Sequence, residues 1–417
     1  MEAAQDIGAR YAAVRAQSEQ LCAHLPPDDF GLQAVPETSP LKWHLAHVSW
    51  FFDTFILKEF ADDYAPFDAS FEELFNSYYN GIGNPYPRPQ RHLLSRPTLE
   101  RVYAYRRHVD AAMQALLEKA EPENEIVRRT TLGLHHEQQH QELMLTDLKY
   151  NLALNPLFPA YDEAELKPLE PLPLQFVDFE GGMVEIGATG REPFFFDNET
   201  PRHRHWLAPF RLASRTVTNG EFLTFIEDGG YSNPLLWLSD GWATVQARQW
   251  SHPLYWRQRE GEWFEFTLHG LQPLDEERPA VHLSFYEAEA YARWAGCRLP
   301  REQEWEHAAS SRLAEGQFCC HRRMHPVSGF EQEGLFDLYG SVWEWTASPY
   351  IAYPGYRPAA GAIGEYNGKF MCNQQVLRGG SCVTQPGHVR ASYRNFFYPH
   401  ERWQFSGVRL ALDGDDA

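Results

Sequence analysis

Leu134-His135-His136-Glu137-Gln138-Gln139-His140-Gln141-Glu142 lies within residues 125–151, a stretch patterned as one long helix. His136 and His140 are four residues apart, so on a helix they project from one face. Two imidazoles at that spacing can bind one metal ion. The simpler reading is an amphipathic bundle helix with histidines on its polar side. A second unusual stretch, Lys42-Trp43-His44-Leu45-Ala46-His47, weighs against it by supplying a third histidine.

Three more helical patterns precede this one. Residues 7–25 alternate apolar and polar positions at helical period. Residues 41–60 form a helix apolar almost all round, started by Ser39 as cap and Pro40 as first-turn proline. It should be buried, and a buried histidine needs a hydrogen bond or a metal. A third helix runs over 98–119. Four long helices suggest an antiparallel bundle, where metal sites are built from facing helices. Between the second and third lie Asn76-Ser77-Tyr78-Tyr79-Asn80 and a proline-stiffened loop with Arg88, Arg91 and Arg96. Arginines on such a loop can grip a carboxylate in bidentate fashion, although a lone loop arginine is more commonly just solvated.

The proline-rich residues 155–173 read as a linker, with domains over 1–154 and 174–417. Beyond it the texture changes. Met183-Val184-Glu185-Ile186 alternates like a strand, and short helices start at the capping boxes Thr218/Glu221 and Ser284/Glu287. The second of these should stop at Gly296. The expected fold class is α+β in two domains.

Bulk composition narrows the function. With 37 Lys plus Arg against 57 Asp plus Glu, the 417-residue chain carries a formal charge of −20, which argues against nucleic-acid or anionic-membrane binding. The six cysteines, Cys22, Cys297, Cys319, Cys320, Cys372 and Cys382, form no CxxC pair or disulfide framework. No apolar run is long enough to span a membrane, and the acidic N-terminus lacks a signal-peptide core, so a reducing cytoplasm is expected.

His136-Glu137-Gln138-Gln139-His140 matches the zinc-protease pattern H-E-x-x-H, with Glu137 as its general base. Leu143 and Thr146 occupy the region of a metzincin's third ligand, and Glu163 and Glu165 fall in the linker. The competing reading takes His47, His136 and His140 as three neutral nitrogen ligands. Three facial ligands leave open positions, which suits non-haem iron that must accept a thiolate and dioxygen. A two-histidine, one-carboxylate set with Glu142 or Asp147 is a further option. Glu142 faces away from the shared side of the histidines and better suits fixing an imidazole tautomer.

The chain resembles the iron-dependent sulfoxide synthases of ergothioneine biosynthesis (the EgtB family). In the first half the resemblance rests on Ser39-Pro40-Leu41-Lys42-Trp43-His44-Leu45-Ala46-His47, on Asn76-Ser77-Tyr78-Tyr79-Asn80 and on the opening motif. In the second it rests on Arg298-Leu299-Pro300-Arg301-Glu302-Gln303-Glu304-Trp305-Glu306, Gly340-Ser341-Val342-Trp343-Glu344-Trp345-Thr346, Leu377-Arg378-Gly379-Gly380-Ser381 and Phe405-Ser406-Gly407-Val408-Arg409-Leu410. It implies a DinB-like four-helix bundle joined to a formylglycine-generating-enzyme-like (sulfatase-modifying) domain of C-type-lectin fold. It implies Fe(II) on His47, His136 and His140, with His44 left to packing or to support of a ligand. The implied reaction joins a cysteine-type thiol to the imidazole carbon of hercynine, with O2 as co-substrate. Gln139 would hydrogen-bond the hercynine ring. Tyr78 or Tyr79 would be the acid that steers toward C–S coupling rather than thiol dioxygenation, although another group in the family places its tyrosine in the C-terminal domain. Arg88 and Arg91 would hold the thiol substrate's carboxylate. Asn395, Phe396 and Phe397 would line the quaternary ammonium, which aromatic faces attract.

Members using γ-glutamylcysteine resemble one another in an acidic residue where Phe397 aligns, so free cysteine is the expected co-substrate. The alternatives are γ-glutamylcysteine, a selenium donor as in selenoneine synthase, a zinc-dependent transferase, or a non-catalytic lectin-like binding protein. Ovothiol synthases resemble longer chains with an added methyltransferase. A true formylglycine-generating enzyme would need a cysteine pair where this chain has Arg390-Ala391-Ser392-Tyr393-Arg394.

Overall fold

The computed structural model describes residues 7–121, 124–319 and 323–414; the acidic N-terminal hexapeptide and Cys320 lie outside the described residues. The chain divides into two compact units. The first holds Met1–Leu154 together with Pro358–Asn367, and the second holds Asn155–Arg357 and Gly368–Ala417.

Four long helices form the first unit: α1 (Ile7–Gln20), α2 (Leu41–Phe52), α3 (Leu99–Leu117) and α4 (Glu125–Ala153). Thr98 and Asn124 cap α3 and α4 by accepting the N–H groups of Arg101 and Val127. Every residue of α2 except Lys42 is buried, as its all-round apolar sequence requires. The start of α2 differs from expectation. Pro40 is itself the N-cap, and the Ser39 Oγ that would have capped the helix accepts from Arg91 Nη1 at 2.8 Å instead, while its N–H donates to Asp147 Oδ2 at 2.8 Å. The helix expected over 41–60 continues beyond Phe52 as a π-helical stretch, Asp53–Leu57, and a last turn, Lys58–Phe60.

Gly133 sets the spacing of α2 and α4. A Cβ there would lie 2.5 Å from Cε1 of Phe52, with Phe51 also within 3.0 Å. Phe51 and Phe52 are fully buried and have nowhere to go. Gly133→Ala should therefore cost about 1–3 kcal/mol of overpacking. The check is a lower midpoint in thermal unfolding.

The second unit mixes short strands and helices. One antiparallel sheet sets Phe176–Phe179 and Arg409–Asp413 on either side of Phe210–Thr216. A second has the order Asn395–Phe397, Gln375–Arg378, Trp343–Pro349, Ser406–Gly407. The hairpin Gly182–Ile186/His203–Leu207 contains the strand expected at Met183. Both expected capping boxes form, at Thr218/Glu221 and Ser284/Glu287, and Gly296 follows the second helix at φ +68°. A buried ion network holds the middle of this unit. Glu302 accepts from Arg378 and Arg394 at 2.9 Å, and Glu306 accepts from Arg378 at 3.0 Å. Two domains of mixed helix and sheet, the first a helical bundle, make the fold α+β.

Candidate metal centre

His47 leaves α2 toward α4, and His136 and His140 leave one face of α4 toward α2. One ring nitrogen from each lies within 4.8 Å of the others. Among the described residues this is the one such convergence of histidine, cysteine or carboxylate donors. His47 Nε2 and His136 Nε2 are 3.2 Å apart, and the ring centroids of the trio are 4.6–5.0 Å apart. His47 and His136 are buried, whereas His140 is half-buried. Burial holds the His47 and His140 imidazoles well below their usual pKa, reinforced by the neighbouring histidines. His136 is pushed down to about 3, again chiefly by burial. All three are thus neutral at ordinary pH, the form that binds a metal.

The donor set fits a metal ion. His47 Nδ1–H donates to the Phe75 carbonyl at 2.6 Å, which leaves Nε2 as a lone pair facing His136. His136 Nδ1 is buried without a hydrogen-bond partner among the described residues. Three converging nitrogens, no carboxylate and one orphaned ring nitrogen are poorly satisfied as a polar cluster alone. His47 is also clamped flat: Trp43 stacks on it at 4.5 Å and Trp50 at 5.6 Å.

Glu137 does not face this cluster. It is fully buried on the adjoining side of α4 that meets α1, where it accepts from Ser18 (2.6 Å), Arg15 (2.9 Å) and Arg106 (3.3 Å). A carboxylate so occupied is not a zinc-protease general base, so the literal H-E-x-x-H match carries no such chemistry here. Nor is Asp147 among the converging donors; its Oδ2 is held by Ser39 and by His44 Nε2 at 3.0 Å.

The other expected residues fall as follows. Arg91 is buried, with its guanidinium carbon 3.3 Å from the Trp43 ring centroid and Nη1 donating to Ser39 Oγ at 2.8 Å. Arg88 is exposed and donates to the Glu37 carbonyl. Tyr79 is fully buried, its ring stacked on Tyr78 at 4.5 Å and the two hydroxyls 3.4 Å apart. Burial raises the Tyr79 phenol well above its usual pKa. Gln139 accepts a hydrogen bond from Tyr366, whose ring meets His136 edge-on at 5.6 Å. Tyr366 belongs to the segment Pro358–Asn367 that folds with the bundle. Glu365 pins that segment by accepting from the Asn80 and Gly81 N–H groups at 3.1 and 2.7 Å. Neither Tyr366 nor Glu365 stood out in the sequence, because they lie in a loop with no periodicity or motif. Asn395, Phe396 and Phe397 lie on an edge strand of the second unit, where Phe396 stacks on Tyr350 at 4.0 Å and Phe397 meets Trp403 at 5.7 Å.

Comparison with known proteins decides the family. Residues 10–144 match the DinB superfamily, and residues 163–329 and 319–414 match the sulfatase-modifying factor enzyme 1-like domain. Over 418 aligned residues the chain is 33% identical to the hercynine oxygenase of Mycolicibacterium smegmatis, covering 91% of this chain and 92% of that one. The chain belongs to the hercynine oxygenase family. The family's Mycobacterium tuberculosis member is 31% identical over 99% of this chain and 100% of its own. By contrast, the formylglycine-generating enzyme of Streptomyces coelicolor, 28% identical, covers 57% of this chain. No helix among the described residues is long and apolar enough to cross a membrane.

Proposed function

We propose that this hercynine oxygenase family member is a non-haem iron(II) sulfoxide synthase that joins hercynine to cysteine, giving hercynylcysteine sulfoxide. The observation that carries the reading is the convergence of His47, His136 and His140. Iron(II) on these nitrogens would supply dioxygen chemistry and open positions for the thiolate. The overall reaction balances. The imidazole C–H and thiol S–H are lost, C–S and S–O bonds form, and O2 gives one oxygen to sulfur and the other to water.

The protein's own groups bind and position. In the first unit, Arg88 and Arg91 hold the cysteine carboxylate and Gln139 orients the hercynine ring. An apolar Phe397 offers no partner to the ammonium group of γ-glutamylcysteine, which supports free cysteine. The acid is a phenol of the set Tyr78, Tyr79 and Tyr366. Tyr366 joins the set because it touches both His136 and Gln139.

Tyr366→Phe should lower sulfoxide formation by roughly 10²-fold, the usual worth of a placed acid, while metal content stays unchanged and thiol oxidation persists. Product analysis of the variant beside Tyr79→Phe assigns the role. Mass spectrometry of an aerobic reaction of Fe(II)-loaded protein with hercynine and either cysteine or γ-glutamylcysteine tests the whole reading. A hercynine–cysteine adduct carrying one added oxygen supports it. Preference for γ-glutamylcysteine would overturn the choice of thiol, and no adduct with either thiol would shift the reading to a selenium donor or a zinc-dependent transferase.

A further inference from the structure

A metal-ligating histidine presents one nitrogen lone pair, and the hydrogen bond made by its other nitrogen sets which one. For His47 that partner is the Phe75 carbonyl. For His140 it is another imidazole. His140 Nδ1 lies 2.8 Å from His44 Nδ1, and His44 Nε2 lies 3.0 Å from Asp147 Oδ2. The same carboxylate oxygen accepts the Ser39 N–H at 2.8 Å. His44 and Asp147 are 2% and 1% exposed, so water does not compete for the bond between them.

The direction of the chain follows from its far end. Asp147 Oδ2 already accepts the Ser39 N–H, so it faces His44 as an acceptor and the proton between them sits on Nε2 of neutral His44. His44 Nδ1 is then a lone pair and receives the Nδ1–H of His140. That leaves the lone pair of His140 on Nε2, free for the metal. The register makes this geometry available: Asp147 is seven residues, two turns, beyond His140 on α4, and His44 is one turn before His47 on α2.

We infer that Asp147 and His44 form a relay that fixes the tautomer and orientation of His140, making both positioning residues of the metal centre. This rests on the reading that His47, His136 and His140 hold the metal. His136 has no such support at Nδ1, so two of the three ligands are set before the metal arrives and the third is not.

The relay can be tested without turnover. In the metal-free wild-type protein, nitrogen-15 spectra of labelled histidine should show His140 protonated at Nδ1 and His44 at Nε2; the opposite assignment for either overturns the relay. Anaerobic titration with Co(II), followed by its d–d bands and by calorimetry, reads the consequence. His44→Phe should weaken Co(II) binding by roughly 10–100-fold and shift the bands. His44→Asn returns an amide oxygen near the Nδ1 position and should recover much of the loss. Wild-type affinity and bands in His44→Phe, with Co(II) lost in His140→Ala, would overturn the relay alone. Wild-type Co(II) affinity in His140→Ala would instead overturn the metal reading beneath it.

Discussion

Replacing Glu137 with alanine should destabilise the bundle by about 3–5 kcal/mol while leaving the metal stoichiometry of the folded protein intact. Glu137 is the shared acceptor for Arg15, Arg106 and Ser18, all at most 3% exposed. Removing it strands two buried guanidinium groups. Arg15 keeps Asp110 at 2.7 Å, and Arg106 keeps Glu19 at 3.2 Å and the carbonyls of Leu45 and Arg15. Those partners moderate the loss without replacing a carboxylate that spans both cations. Glu137→Gln, which keeps an acceptor but no charge, should fall between wild type and alanine. Hydrogen exchange at α4 amides reads the bundle alone, and metal analysis at low temperature gives the stoichiometry. Loss of a metal-dependent activity with no change in α4 protection would instead assign Glu137 to chemistry.

The same helix illustrates what a sequence can and cannot disclose. The period of residues 125–151 and the spacing of His136 and His140 depend only on local geometry, so α4 and its two-histidine face were legible. Glu137 and Gln139 flank the same face closely enough that side alone does not separate roles. The partners of Glu137, Arg15 and Arg106, are 122 and 31 residues away. His44 and His47 are one turn apart on a helix buried all round, so periodicity does not choose between them. The choice is made by Asp147, which draws His44 one way, and by Phe75, which sets the tautomer of His47. Tyr366 is hidden for a different reason. Its segment is remote in sequence from the bundle it joins, and it is secured by one carboxylate on two backbone N–H groups, a contact that leaves no pattern in the chain. The first turn of α2 went differently because Arg91 engages the Ser39 hydroxyl, a tertiary contact overriding a local capping preference.

Acid should unfold the metal-free bundle well before it unfolds the metal-loaded one. The folded protein holds His136 down at about 3, while an unfolded histidine titrates near 6.5. Between those values the unfolded chain binds the extra proton, so stability rises with pH across that window and is complete above about 6.5. At pH 4.5 the cost from His136 alone is about 3 kcal/mol. His44, His47 and His140 are shifted in the same direction, by burial first, and add to it. A bound metal needs these nitrogens unprotonated, so loading the site opposes the same protons and moves the acid midpoint downward. Carboxylates titrate in this range as well, and His136→Phe separates the contributions: the metal-free variant should lose about 3 kcal/mol of the wild-type difference between pH 7 and pH 4.5. The readout is protection of α4 amides in chelator at both pH values. Equal acid sensitivity in wild type and variant would mean that His136 accepts its proton in place, and that the site is open enough to hydrate the charge.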